Sequence, residues 1–277
     1  MPGPRAARVA TQMSRLRRLR VRVSIDFVEP KNLPTEDSSG AASNPDSTPL
    51  GGSAIQRFNP DERLGASALP YSFSSRPRMH SDARFLSRKK ARLLEAHVRP
   101  VNELVDAIRL EQGEFVPYVD PDSAGALARV LFVLESPAGP AALGSEMLSP
   151  DNDDATAANM WEAYRASGLP RNLAVHWNAV PWYVGDGGRE RNVTNAQVTA
   201  GHRYLRQVLD IASDVEIIVA MGKPAQSSLH RLDGDLARRG IKLIDCIHPS
   251  PRNNARGGPA QVAAAFDEVL TELEHRS

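Results

Sequence analysis

The sequence predicts an α/β fold, a three-layer sandwich around a mostly parallel four-stranded sheet. Three observations carry that expectation. Continuous apolar runs of strand length recur along the second two-thirds of the chain, helical patterns separate them, and turn residues bound them. A strand buried on both faces of a parallel sheet reads as an unbroken apolar run, and alternation with helices is the pattern that lays such strands side by side.

The first folded element spans Leu86 to Leu110. Leu93, Leu94, Val98, Val101, Leu104, Val105 and Ile108 fall at helical spacing there, and Pro100 interrupts them, so a helix pair or a kinked helix is expected. The first strand is Arg129-Val-Leu-Phe-Val-Leu134, between Gly125 and Pro137. Leu173 to Val180, Val215 to Met221 and Ile241 to Ile247 supply three more strands. Helices are expected over Ala155 to Ser167, Asn195 to Ala212, Pro224 to Arg239 and Pro259 to Glu274.

Residues 1–80 read differently. They hold 12 Lys+Arg against 7 Asp+Glu, a net of +5, with seven arginines and no acid before Asp26. From Pro30 to His80, 20 of 51 residues are Pro, Gly or Ser, without sustained periodicity. Such a composition buries too little apolar surface to offset its ordering entropy, so residues 1–80 are expected to form a disordered basic tail and residues 81–277 the folded domain. An organelle transit peptide, a nucleic-acid arm, a plain solvated extension and a misplaced start remain open for the arginine-rich start. A cytoplasmic, bacterial-type protein acting as a monomer is otherwise expected.

Composition excludes several classes. The whole chain carries 34 Lys+Arg against 33 Asp+Glu, so bulk charge predicts neither a nucleic-acid coat protein nor an acidic tail. No apolar run approaches the ~20 residues of a membrane span. The one cysteine, Cys246, can form neither an intramolecular disulfide nor a four-thiolate metal or iron–sulfur site. No metal or other cofactor is expected.

In parallel α/β sheets the ligand site lies beyond the carboxyl ends of the strands. Those ends here are Glu135-Ser136-Pro137-Ala138-Gly139, Asn178-Ala179-Val180-Pro181-Trp182-Tyr183, Gly222-Lys223-Pro224, and His248-Pro249-Ser250-Pro251-Arg252. One carboxylate, one amide, one Gly-Lys turn and one imidazole therefore converge on a single rim.

These residues, in this order and spacing, resemble the motifs of the uracil-DNA glycosylase superfamily. His248-Pro249-Ser250-Pro251 has the form of its second catalytic motif, Asn178-Ala179-Val180 looks like its base-reading strand, and Glu135 to Gly139 looks like its first motif. The segments Ala166 to Arg171 and Ala220 to Gln226 are similar to its small bacterial and archaeal branch. The resemblance covers roughly residues 84–275. It implies a uracil-DNA glycosylase-like fold and a hydrolase that releases uracil, or a related deaminated base, from DNA to initiate base-excision repair. By the same resemblance Glu135 and His248 are catalytic and Asn178 reads the base, while Ser136, Gly222, Lys223, Ser250, Arg252 and Arg256 contact substrate or phosphate.

The chain departs from that pattern in three places. The cysteines of the iron–sulfur branch are missing, and Asn192 stands about where a product-trapping branch places a histidine, so turnover is expected. No aromatic residue follows the first motif; Met147 or Leu148, or else Trp182 or Tyr183, would have to stack on the base. Arg252 replaces the wedge leucine of several relatives and inserts into the duplex, contacts a phosphate or is a solvated loop arginine.

The residue types suit the chemistry in their own right. Breaking an N-glycosidic bond builds positive charge on the sugar and negative charge on the departing base, which calls for an anion and a hydrogen-bond donor. An Asn amide matches the O4 and N3–H edge of uracil and mismatches that of cytosine. The alternative reading is a non-catalytic binding protein for damaged DNA or nucleotides on the same fold.

Overall fold

The computed structural model describes residues 74–185 and 191–276. The sequence expectations for residues 1–73 and for the loop at 186–190 lie outside them. Among the described residues the helices are α1 (Ala83–Lys90), α2 (Arg99–Gln112), α3 (Ala155–Ser167), α4 (Asn195–Ile211), α5 (Lys223–Leu229), α6 (Asp233–Arg238) and α7 (Gly258–His275). The strands are β1 (Tyr118–Val119), β2 (Val130–Leu134), β3 (Met147–Leu148), β4 (Ala174–Asn178), β5 (Ile217–Met221) and β6 (Lys242–Cys246).

Four strands form one parallel sheet in the order β4-β2-β5-β6, and the two-residue strands β1 and β3 pair separately. Alternation sorts the side chains onto two faces. Leu131, Val133, Val175, Trp177, Ile218 and Ala220 pack with residues of α2, α4, α5 and α6. Val130, Phe132, Ala174, Ile217, Val219 and Met221 pack with residues of α3 and α7. Helices therefore cover both faces, which is why β2 and β5 are apolar throughout. Each fully buried Val, Ile or Phe contributes about 1.5–3 kcal/mol of transfer free energy.

Local chemistry sets the helix ends. Asp154 caps α3 by accepting from Ala157 N at 2.8 Å, and Gly168 ends it in the left-handed region at φ 75°. Thr194 and Gln197 form a reciprocal capping box on α4. Pro100 sits in the first turn of α2, where its missing N–H costs nothing, so the expected helix pair appears as α1 and α2 with turns between them. The single helix expected over Pro224–Arg239 is broken by a 3₁₀ turn, His230–Leu232, where His230 faces Asp245 Oδ2 at 2.9 Å and Asp233 Oδ2 at 3.4 Å.

The folded region starts earlier than residue 81. Ser74 and His80 are buried. Ser74 Oγ donates to Asp151 Oδ1 at 2.5 Å and receives the Trp161 indole N–H at 2.7 Å, while His80 Nδ1 lies 2.7 Å from Asn152 Oδ1. The sequence expectation missed this strap because seven residues are too few to show a period. No described helix is long and apolar enough to cross a membrane.

Candidate active site

The sheet order places β2 and β5 side by side although the chain leaves them in opposite directions, which opens a crevice at their carboxyl ends. Glu135 follows β2 and Gly222 follows β5. A cleft of about 600 Å³ lies at this rim, lined by Glu135, Ser136, Leu148, Asn178, His248, Ser250 and Arg252 among others. A neighbouring basin of about 710 Å³ is lined by Gly222, Lys223 and Arg256 and shares Glu135 and His248 with the cleft. The carboxylate and the imidazole thus stand on the ridge between the two.

Gly222 has φ 94°, and a Cβ there would come 3.0 Å from His248 Cβ. Only glycine meets both the backbone angle and the close approach. The loop bearing His248 is pinned from two sides: Asn159 of α3 donates its amide to Pro249 O at 2.7 Å, and Asn253 donates to His248 O at 2.8 Å. Burial, with the Arg252 guanidinium adding to it, pushes the His248 imidazole down to about 4, so the ring is neutral near pH 7. A neutral imidazole offers one N–H donor without bringing a cation into the site.

Asn178 ends β4 almost wholly buried, and its amide nitrogen has no hydrogen-bond partner among the described residues. A buried donor left unmet costs about 1–3 kcal/mol, which a ligand carbonyl would recover. Asn192 and Arg191 also line the cleft.

The candidates for stacking on a base divide. Leu148 lines the cleft, but Met147 is fully buried away from it, because neighbouring side chains of a strand point to opposite faces. Trp182 belongs to the hydrophobic core, edge-on to Tyr204 at 6.3 Å. Tyr183 does not line the cleft; its hydroxyl faces Gly139, whose Cβ position lies 3.9 Å away. Trp161 and Tyr164 are core residues.

One wall of the cleft, Leu148 to Asn152, rests on a buried ionic cluster. Lys89 Nζ donates to Asp120 Oδ2 at 2.7 Å and Asp151 Oδ2 at 2.6 Å, and Arg171 donates to the same two carboxylates at 3.1 and 2.9 Å. Ser149 Oγ also donates to Asp120. Both carboxyls are held below their usual range: burial alone would raise them, and Lys89 and Arg171 overcome it. His80, Asp120 and Asp151 present potential metal-ligating atoms within 4.8 Å of one another, but the two side-chain cations already engage those carboxylates. The donor set fits charge-paired scaffolding rather than an ion.

Sequence reasoning missed Asn159, Asn253 and His176. Asn159 and Asn253 act through backbone carbonyls and carry no sequence signal; His176 stands two positions before Asn178 on one strand, a spacing that identifies a shared face.

No protein-family model matches the chain, and no curated protein matches it.

Proposed function

We propose that the protein is a DNA glycosylase that hydrolyses the N-glycosidic bond of uracil, or of a related deaminated base, in DNA, on a uracil-DNA glycosylase-like fold. The observation that carries this reading is the meeting of Glu135, Asn178 and a neutral His248 around one cleft at the carboxyl rim of the sheet.

In this reading Glu135 stabilises the oxocarbenium-like sugar and positions the attacking water. His248 donates to the pyrimidine O2 as negative charge develops there, a contact that strengthens in the transition state. The Asn178 amide donates to O4 and accepts from N3–H; cytosine reverses both atoms and would leave buried groups unpaired. A base stacked in a duplex cannot reach such a cleft, so the nucleotide is extruded or the strand is single. Ser250, Arg252, Lys223 and Arg256 hold phosphates.

The test is incubation with uracil-containing single- and double-stranded oligonucleotides, followed by alkali to cut abasic sites. Strand cleavage at the uracil position supports the reading. Tight binding without base release supports a binding protein on the same fold, and neither result removes both.

A further inference from the structure

The glycosylase reading gives no task to His176, a buried polar side chain of the cleft. β4 turns His176 and Asn178 to the same face, since side chains two apart in a strand share a face. Both line the cleft and both are at least nine-tenths buried. His176 Nδ1 and Asn178 Nδ2 each lack a hydrogen-bond partner among the described residues. Two unmet nitrogens on one strand face are unusual, because nearly all buried polar groups are paired.

The rest of the His176 ring is fixed. Its Nε2 lies 3.2 Å from the Tyr164 hydroxyl, and its plane stacks on Phe132 with centroids 5.5 Å apart and 17° between the rings. Tyr164 meets it edge-on at 5.7 Å. Burial keeps the ring uncharged, with the Arg171 guanidinium adding to the effect, and pushes its pKa down to about 3. A neutral, immobile imidazole suits an uncharged ligand edge rather than a phosphate.

We infer that His176 is a specificity-determining residue: with Tyr164 donating to Nε2, the ring proton sits on Nδ1 and donates to the second lone pair of the pyrimidine O4, beside the Asn178 amide. The inference rests on the glycosylase reading for the identity of the base. A carbonyl oxygen accepts two such donors, whereas the exocyclic amino group of cytosine would face two donors with none of its own protons accepted. Two donors at one position reject cytosine more strongly than Asn178 alone.

The experiment uses the full chain with ¹⁵N-labelled histidine and a duplex bearing a non-hydrolysable 2′-fluorinated uridine. The His176 Nδ1 resonance should report a protonated nitrogen and shift when the duplex is added. His176→Phe, which keeps the ring stack, should bind this duplex about tenfold more weakly, the size of one neutral hydrogen bond, and discriminate less between it and the cytidine counterpart. Tyr164→Phe breaks the same internal contact and frees the tautomer but retains Nδ1, and should cost less affinity than His176→Phe. Equal losses in the two variants, an unprotonated Nδ1 or an unmoved resonance would overturn the inference. Should His176→Phe fail to fold, the wild-type resonance decides alone. Free uracil separates the two claims: an Nδ1 shift on uracil without any base excision refutes the glycosylase reading and keeps the subsite, while excision with an unmoved Nδ1 does the reverse.

Discussion

Replacing Lys89 by Met should destabilise the domain severely while barely changing its volume. The Lys89 side chain is 3% exposed and its ammonium lies within 2.9 Å of three carboxylates, Asp120, Asp122 and Asp151. Methionine keeps the apolar stem and removes the charge, which leaves Asp120 and Asp151, both essentially buried, with Arg171 as their shared cation. Stripping one partner from a buried ion pair costs about 3–5 kcal/mol, because the remaining charge stays out of water. For a domain of this size each kcal/mol moves the melting midpoint by roughly 2–4 °C, so a fall of about 6–20 °C is expected. Thermal unfolding followed by circular dichroism at pH 7 measures it. Adding Asp120→Asn to Lys89→Met removes one excess negative charge and should recover part of the loss, since contacting residues are not additive. A fall below about 2 °C, or strict additivity in the double variant, would refute a load carried by this cluster.

The amino-terminal strap gives a second expectation: a chain starting at Ser81 loses the contacts of Ser74 and His80 with Asp151 and Asn152 and should melt lower than one starting at Ser74, with equal melting as the contrary result. Acid sensitivity follows from the pKa directions. His176 stays neutral in the fold down to about pH 3, so the unfolded chain alone takes up a proton below about pH 6.5, and stability falls from there towards acid by up to about 3 kcal/mol at pH 4. Asp120 and Asp151 have depressed pKa values, so their contribution is complete above about pH 4 and is lost as the pH drops further. Denaturant midpoints from about pH 8 to about pH 2 check both trends; midpoints that rise on acidification contradict them. Excision should likewise show no His248 ionisation between pH 5 and 8, and a limb near pH 6.5 that vanishes in His248→Asn would count against a neutral ring.

β2 and β5 were legible because each is apolar on both faces, β4 and β6 because apolar residues still dominate them beside His176, Asn178, Lys242 and Asp245, and the rim residues followed from where those strands end. The strands β1 and β3 were not, since two residues carry no period. The ionic cluster escaped for a different reason. Lys89, Asp120, Asp151 and Arg171 lie 20–62 positions apart in the pairs that bond, and nothing in a linear reading distinguishes them from solvated charges. The helix expected over Pro224–Arg239 looked continuous because the His230 contacts that break it come partly from β6. Met147 and Leu148 could not be separated until strand alternation assigned each a side.

The most direct test of the central claim is single-turnover excision of uracil by saturating wild type, His248→Asn and Glu135→Gln, beside binding of each to the non-hydrolysable duplex. Contacts that strengthen only in the transition state lower rate far more than affinity, so each substitution should slow excision by ~10²-fold or more, on the order of 3 kcal/mol, and change affinity by less than about tenfold. Wild type that binds uracil-containing DNA but releases no base, with the two substitutions altering affinity alone, would contradict the account.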